Sequence, residues 1–167
     1  MIMKTPILNN KQIEQKINRL AHQVLENNHE ESEIIIAGIA SRGFVLAKRI
    51  ATILQDISNI KVHVEEIKVN KETPIKSKVN FPFADKELEG KVVFVVDDVV
   101  NSGRTLIYAV RHFLTVPVKK LRTLVLVDRG HNKFPIRADY VGISLATTLQ
   151  EHVSVEFSKG KDAVYLQ

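Results

Sequence analysis

The sequence predicts an α/β protein: a parallel-sheet core flanked by helices, with a small hood over one edge. Three observations carry this. Val92 to Val96 is an unbroken run of five apolar residues, the pattern of a strand buried on both faces. Similar runs alternate along the chain with stretches of helical spacing, the order of βαβ units. After Gly130 the pattern breaks into short strands and turns.

The elements follow in order. Ile13, Ile17, Leu20, Ala21, Val24 and Leu25 recur at helical spacing, and Asn9 or Asn10 caps that helix. Ile34 to Ile39 reads as a buried strand, Gly38 to Gly43 as its exit loop, and Phe44 to Leu54 as an amphipathic helix. Val62 to Val69 alternates and reads as a strand. The central strand Val92 to Val96 precedes a helix from about Ser102 to Leu114; Pro117 breaks the chain, and Leu121 to Val127 is a further strand. Between strands, residues 68–89 form a long connector with Pro74, Pro82 and several lysines, read as a flexible lid. The lysines Lys68, Lys71, Lys76 and Lys78 are either a solvated face or the source of one cation that closes over an anionic ligand. Val153, Val155 and Phe157 alternate, as do the residues around Val164 and Leu166, giving a closing strand pair within a hood of about residues 130–167. Residues 1–167 read as one domain without repeats or low-complexity tracts.

Composition narrows the classes. The 167 residues are 44% hydrophobic, enough for a real core, and contain no cysteine, so disulfides and cysteine metal sites are excluded. The six histidines show no close-paired metal spacing. No apolar run approaches a membrane span, and Met1 to Asn10 lacks the apolar centre of a signal peptide, so a cytoplasmic address and no membrane partner are expected. The net charge of +5 fits an anionic ligand and equally a chain with no charged partner.

The chemistry concentrates after the central strand. Asp97 and Asp98 follow it directly, and then Val99, Val100, Asn101, Ser102, Gly103, Arg104 and Thr105 lead into a helix. Carboxylates inside a sheet are costly unless partnered, whereas the carboxyl edge of a parallel sheet turns them toward a ligand. A small-residue turn at a helix N-terminus presents N–H groups and hydroxyls to an anion. Together these suit a molecule bearing both a phosphate and vicinal hydroxyls. The bland alternative is a solvated acid pair with Ser102 as a helix cap.

The stretch Val95-Val96-Asp97-Asp98-Val99-Val100-Asn101-Ser102-Gly103-Arg104-Thr105 resembles the phosphoribosyl-pyrophosphate (PRPP) signature of type I phosphoribosyltransferases. Leu126-Val127-Asp128-Arg129-Gly130-His131, with Pro135 to Gly142, resembles the PyrR family of pyrimidine operon attenuators and uracil phosphoribosyltransferases. Ala37 to Gly43, Leu46 to Arg49, and Arg19 to His22 agree with it. The resemblance implies the type I phosphoribosyltransferase fold and transfer of phosphoribosyl from PRPP to a pyrimidine base, uracil first among them. The alternative it implies is an RNA-binding regulator of pyrimidine genes that senses UMP or PRPP with little catalysis.

By the same resemblance, Asp97 and Asp98 hold the ribose hydroxyls, directly or through Mg²⁺ and its waters. The backbone from Val99 to Thr105, with the Ser102 and Thr105 hydroxyls, cradles the 5′-phosphate. Arg104 either adds charge there or faces solvent. Ser41, Arg42 and Gly43 bind pyrophosphate, the alternative being a serine cap with a solvated arginine. Asn101 stands where purine-salvage relatives carry a carboxylate, and an amide cannot act as a general base. Asp128 and Arg129 reach toward the base or pair with each other. Arg19, His22 and Arg137 match basic positions associated with RNA; His131, Arg137 and Asp139 are hood candidates for base or RNA contact. Ile67 to Glu72 stands where the family carries a Tyr-Arg-Asp-Asp-like segment, and Leu149 to His152 lacks the family's lysines. A homodimer or higher homo-oligomer is expected.

Overall fold

The computed structural model describes residues 3–76, 78–148 and 150–167; Met1, Ile2, Ser77 and Leu149, which fall in segments discussed above, lie outside them. Its centre is a five-stranded parallel sheet in the order β3-β2-β4-β5-β6, formed by β2 (Glu33–Ile39), β3 (Lys61–Ile67), β4 (Val92–Val100), β5 (Lys120–Asp128) and β6 (Tyr140–Ser144). The apolar runs occupy its middle, as strands covered on both faces must.

Helices α1 (Asn10–Asn28) and α2 (Arg42–Ile57) cover one face. Ile13, Ile17, Leu20, Leu46, Ile50 and Leu54 pack there against Ile34, Ile36, Phe94 and Val96. Asn9 caps α1 through a reciprocal box with Gln12, at 2.9 Å in both directions. The other face packs Ile35, Ala37, Val93 and Val95 against Leu106, Ala109 and Phe113 of α4 (Arg104–Phe113). The hood is a separate antiparallel sheet, β1-β8-β7, of β1 (Thr5–Leu8), β7 (Val153–Glu156) and β8 (Ala163–Leu166).

Three features differ from the sequence reading. The central strand does not stop at Val96: its ladder with β5 continues through Asp97 opposite Val125 to Val100 opposite Asp128. The valines after the acids support extension as well as those before them. Residues 140–144 do not belong to the hood; they extend the parallel sheet as β6, paired with β5. The closing strand pair gains a third member, because β1 pairs with β8.

The connector divides in two. Lys68 and Asn80 exchange backbone hydrogen bonds (3.0 and 3.1 Å) and close the base of an excursion. Beyond it Phe81 stacks on Phe83 and meets Phe113 edge-on, and Leu88 of the short helix α3 (Asp85–Leu88) is fully buried. Within the excursion Pro74 is buried and Val69 and Val79 pack against the same cluster, while Lys71 and Lys76 are exposed.

Candidate functional site

At the carboxyl end of β4 lies a cavity of about 230 Å³. Arg42, Lys71, Asp97, Asp98, every residue from Val99 to Leu106, His152 and Val153 line it. The strand–turn–helix segment thus assembles with the start of α2, the connector and the hood.

The acids are not at an exposed strand end, as the sequence reading had it. Asp97 is 6% and Asp98 9% exposed. The reason is the longer strand, together with α2, whose first turn lies against them. A Cβ on Gly43 would stand 2.7 Å from the Val96 carbonyl oxygen and 2.9 Å from the Asp97 Cα. Only glycine lets the helix approach this closely. Burial, and then the neighbouring Asp98 carboxylate, push the Asp97 carboxyl well above its usual range, while the Lys71 ammonium pulls the other way. The Asp98 N–H donates to Asp97 Oδ1 at 2.9 Å. Arg42 supplies the compensating charge: its Nε lies 3.3 Å from Asp98 Oδ2, and its Nη1 donates to the Val155 carbonyl at 3.1 Å. One guanidinium therefore links α2, an acid of β4 and the hood. Ser41 precedes α2 without making a side-chain cap, and the Ala40–Ser41 peptide is cis. Of the expected pyrophosphate loop, Arg42 is the residue that lines the cavity.

The turn is held from outside. Gly103 has φ +84°, a left-handed conformation natural to glycine. The Ser102 carbonyl accepts from the N–H groups of Lys133 (2.8 Å) and Phe134 (3.1 Å), and the Arg104 N–H donates to Ser102 Oγ at 3.3 Å. Gly103, not Ser102, is the residue preceding α4. The N-terminus of this ten-residue helix therefore opens on the cavity, with its N–H dipoles directed toward an anion. The Arg104 guanidinium is exposed and leans on the Glu72 carbonyl at 3.5 Å, which favours the solvent-facing alternative for that residue.

Asp128 and Arg129 do not pair. Asp128 Oδ1 accepts from the Gly130 N–H at 2.8 Å. Arg129 is buried and does not point to an open base subsite. It donates to Asn101 Oδ1 (2.9 Å), Thr147 Oγ1 (3.3 Å) and the Thr148 carbonyl (3.2 Å), and closely to the Glu151 carbonyl. Several other expected contact residues also make contacts within the fold. Arg19 donates to the Val141 (3.1 Å) and Gly142 (2.7 Å) carbonyls, tying α1 to β6; His22 Nδ1 contacts the Asn18 carbonyl. His131 meets the Thr147 carbonyl, and Asp139 accepts from the Thr123 N–H at 2.9 Å. Arg137 is exposed on the edge of a second, more open cavity with Asp128, Phe134 and Ser144.

Sequence reasoning missed His152 and Val153. Their placement depends on the hood folding back over β4, and the alternation beginning at Val153 gave only the strand. Lys71 was legible as one of several lysines but not as the one beside Asp97.

Residues 4–158 match the phosphoribosyl transferase domain family. A bifunctional protein PyrR of Clostridium kluyveri is 36% identical over 165 residues, spanning 95% of this chain and 93% of the relative. The corresponding protein of Clostridium acetobutylicum is 36% identical over 169 residues, spanning 97% and 94%. The chain belongs to the phosphoribosyl transferase family, in its PyrR branch. Among solved structures, a hypoxanthine-guanine phosphoribosyltransferase from Bacillus anthracis superposes with TM-score 0.73 at 26% identity, covering 90% of this chain and 85% of its own. The hypoxanthine phosphoribosyltransferase of Trypanosoma cruzi, at TM-score 0.72 and 21% identity over 84% and 81%, shares the fold. The fold class and family expected from the motifs are those found.

Proposed function

We propose that this protein transfers the 5-phosphoribosyl group of PRPP to uracil, giving UMP and pyrophosphate. The observation that carries the reading is the buried Asp97–Asp98 pair beside the Gly103 turn, in one cavity, in a chain akin to PyrR proteins over nearly its whole length. In the reaction the C1′–O bond to pyrophosphate breaks, a bond from C1′ to a ring nitrogen of uracil forms, and the proton on that nitrogen leaves to solvent. Positive charge develops on the ribose as pyrophosphate departs, so binding and electrostatics carry most of the catalysis.

Each role has its residue. Asp97 and Asp98 hold the ribose hydroxyls and oppose the developing charge. The amides of residues 99–105 and the start of α4 hold the 5′-phosphate. Arg42, with Ser41 and Gly43, receives the pyrophosphate; the excursion between Lys68 and Asn80 acts as a lid that brings Lys71 to the same group. The base lies at the end of the cavity bounded by Asn101, His152 and Val153. Among the described residues no group of three or more acidic, histidine or cysteine side chains could cage a metal. The two adjacent carboxylates suit Mg²⁺, which keeps waters and takes its remaining ligands from substrate oxygens. Asp97 and Asp98 are the residues that would hold it, and its chemistry there is neutralisation of pyrophosphate charge.

Conversion of radiolabelled uracil to UMP in the presence of PRPP and Mg²⁺ tests the proposal. No conversion, with no binding of PRPP or UMP, ends it. The second reading, an RNA-binding regulator, is favoured by the relatives' printed description as bifunctional and by the exposed Arg137 and His22. Salt-dependent binding of a pyrimidine-gene leader transcript supports it; its absence removes it. Self-association as a homodimer or larger assembly and a cytoplasmic address belong to the same proposal, and light scattering checks the first. No helix among the described residues is long and apolar enough to cross a membrane.

A further inference from the structure

The Arg129 guanidinium sits between two parts of the site that are far apart in sequence. On one side it reaches Asn101, the first residue of the turn after the acid-bearing strand. On the other it gathers Thr147, Thr148 and Glu151, the loop that leads directly into His152 and Val153 at the cavity wall. Buried arginines require such complete satisfaction, and here the fork geometry supplies it.

The contact with Asn101 has a chemical consequence. A guanidinium carries only donors, so the atom of the Asn101 carboxamide that faces it is the carbonyl oxygen, at 2.9 Å. The amide nitrogen is thereby turned the other way. Its two N–H donors have no protein partner among the described residues, and the residue lines the cavity. A carboxylate at this position would pair with Arg129 equally well and present an acceptor instead. The side chain at residue 101 therefore sets the sign of the hydrogen bond offered to the ligand, and Arg129 sets its direction.

We propose that Arg129 is a positioning residue that locks Asn101 with its N–H groups toward the base, so that the site offers a donor to a ring carbonyl and selects uracil over cytosine. Uracil carries a carbonyl on both sides of its N3 and meets such a donor from either edge. Cytosine replaces one carbonyl with an amino group, which would oppose donor to donor. The inference rests on the pyrimidine phosphoribosyltransferase reading and assigns the specificity of that site.

The test measures binding of UMP, CMP and PRPP by titration calorimetry to the full chain and three variants. Asn101→Asp keeps the contact to Arg129 and reverses the hydrogen-bond sign. It is expected to weaken UMP about tenfold while leaving CMP equal or tighter. Arg129→Met removes the lock and is expected to lower UMP affinity by a similar factor, with PRPP affinity changed less than threefold. Arg129→Lys, able to satisfy one side of the junction, recovers part of the loss. An unchanged UMP-to-CMP ratio in Asn101→Asp overturns the inference even if Arg129→Met fails to fold, since Asn101 is exposed and its substitution leaves the core intact. Parallel losses of UMP and PRPP in Arg129→Met also overturn it, because they describe a general structural role. An unaltered protein that binds PRPP but neither UMP nor CMP retires the pyrimidine reading and this inference with it. UMP binding that Asn101→Asp does not alter retires this inference alone.

Discussion

Asp98→Asn is expected to stabilise the free protein while crippling its use of PRPP. The Arg42–Asp98 pair spans 3.3 Å, but the arginine side chain is 54% exposed against 12% for the aspartate. A pair so open to solvent contributes about 0.2–1 kcal/mol. On the other side of Asp98 stands Asp97, whose carboxyl burial and the Asp98 charge together push upward. As a general scale, two unit charges about 4 Å apart at an effective dielectric near 20 repel by about 4 kcal/mol. The upward shift lets Asp97 keep its proton to higher pH and avoid part of that, so the relief on neutralising Asp98 is a fraction of it, on the order of 1 kcal/mol beyond the lost pair. For a domain of this size that raises Tm by about 2–4 °C. The same substitution removes a charged acceptor from the ribose hydroxyls, on the order of 1.5–3 kcal/mol, or about ten- to a hundredfold in PRPP affinity and turnover. Scanning calorimetry and PRPP titration read the two effects. A Tm lowered by several degrees, or an unchanged PRPP affinity, refutes the reasoning.

The free protein is expected to lose stability as pH rises from about 4 through the raised pKa of Asp97, because the folded state holds a proton there that the unfolded chain releases first; Asp97→Asn should flatten that slope in a Tm-against-pH series. Glu33 behaves oppositely: hydrogen bonds from Lys91 and His63 lower its pKa from 4.5 to about 2, so its contribution is present above pH 4.5 and lost as pH falls toward 2. With the Lys91 side chain 39% exposed, screening leaves about 1–2 kcal/mol, which Glu33→Gln should remove from urea-unfolding stability at pH 7 but not at pH 2. Gly103→Ala places a Cβ 2.7 Å from Ile136 Cγ2 at φ +84° and should cost about 1–3 kcal/mol in the same assay, with a loss of PRPP affinity as the turn shifts.

Local pattern carried most of the parallel sheet and the turn into α4; what it could not carry were contacts made by chain reversal. Val92 to Val96, Ile34 to Ile39 and Leu121 to Val127 were legible because strands buried on both faces leave no polar alternation. The acids read as a strand end because an apolar run stops there, yet the ladder runs on through Val100: hydrogen bonding to β5 does not depend on side-chain polarity. Strand β1 is four residues containing Pro6, too short and too irregular to show periodicity, and exists by pairing with β8 from the far end of the chain. Arg129 read as a ligand residue from its place after β5. Its actual partners, Asn101, Thr147, Thr148 and Glu151, come together only once the hood is built. Isolated polar residues are the ones whose roles sequence pattern leaves open, since their partners are set by tertiary approach.

The burial of Asp97 and Asp98 also explains why the cations around them come from outside β4. Two adjacent carboxylates removed from water cannot both be ionised without compensation. A cation on β4 itself would occupy the space a ligand needs. Here Arg42 comes from the start of α2 and Lys71 from the excursion between Lys68 and Asn80. Both are more exposed than the acids they face. Compensation is therefore partial in the free protein, and burial together with the Asp98 charge raises the Asp97 pKa. On the proposed function, ribose hydroxyls, and a cation brought in with pyrophosphate, would complete what the fold leaves unfinished and favour ionised Asp97. Binding of PRPP with Mg²⁺ should then release a proton over the pH range in which free Asp97 still holds one. Calorimetry in buffers of different ionisation enthalpy reads that release directly. Its absence, with tight PRPP binding retained, would mean that Asp97 is not the group the ligand engages.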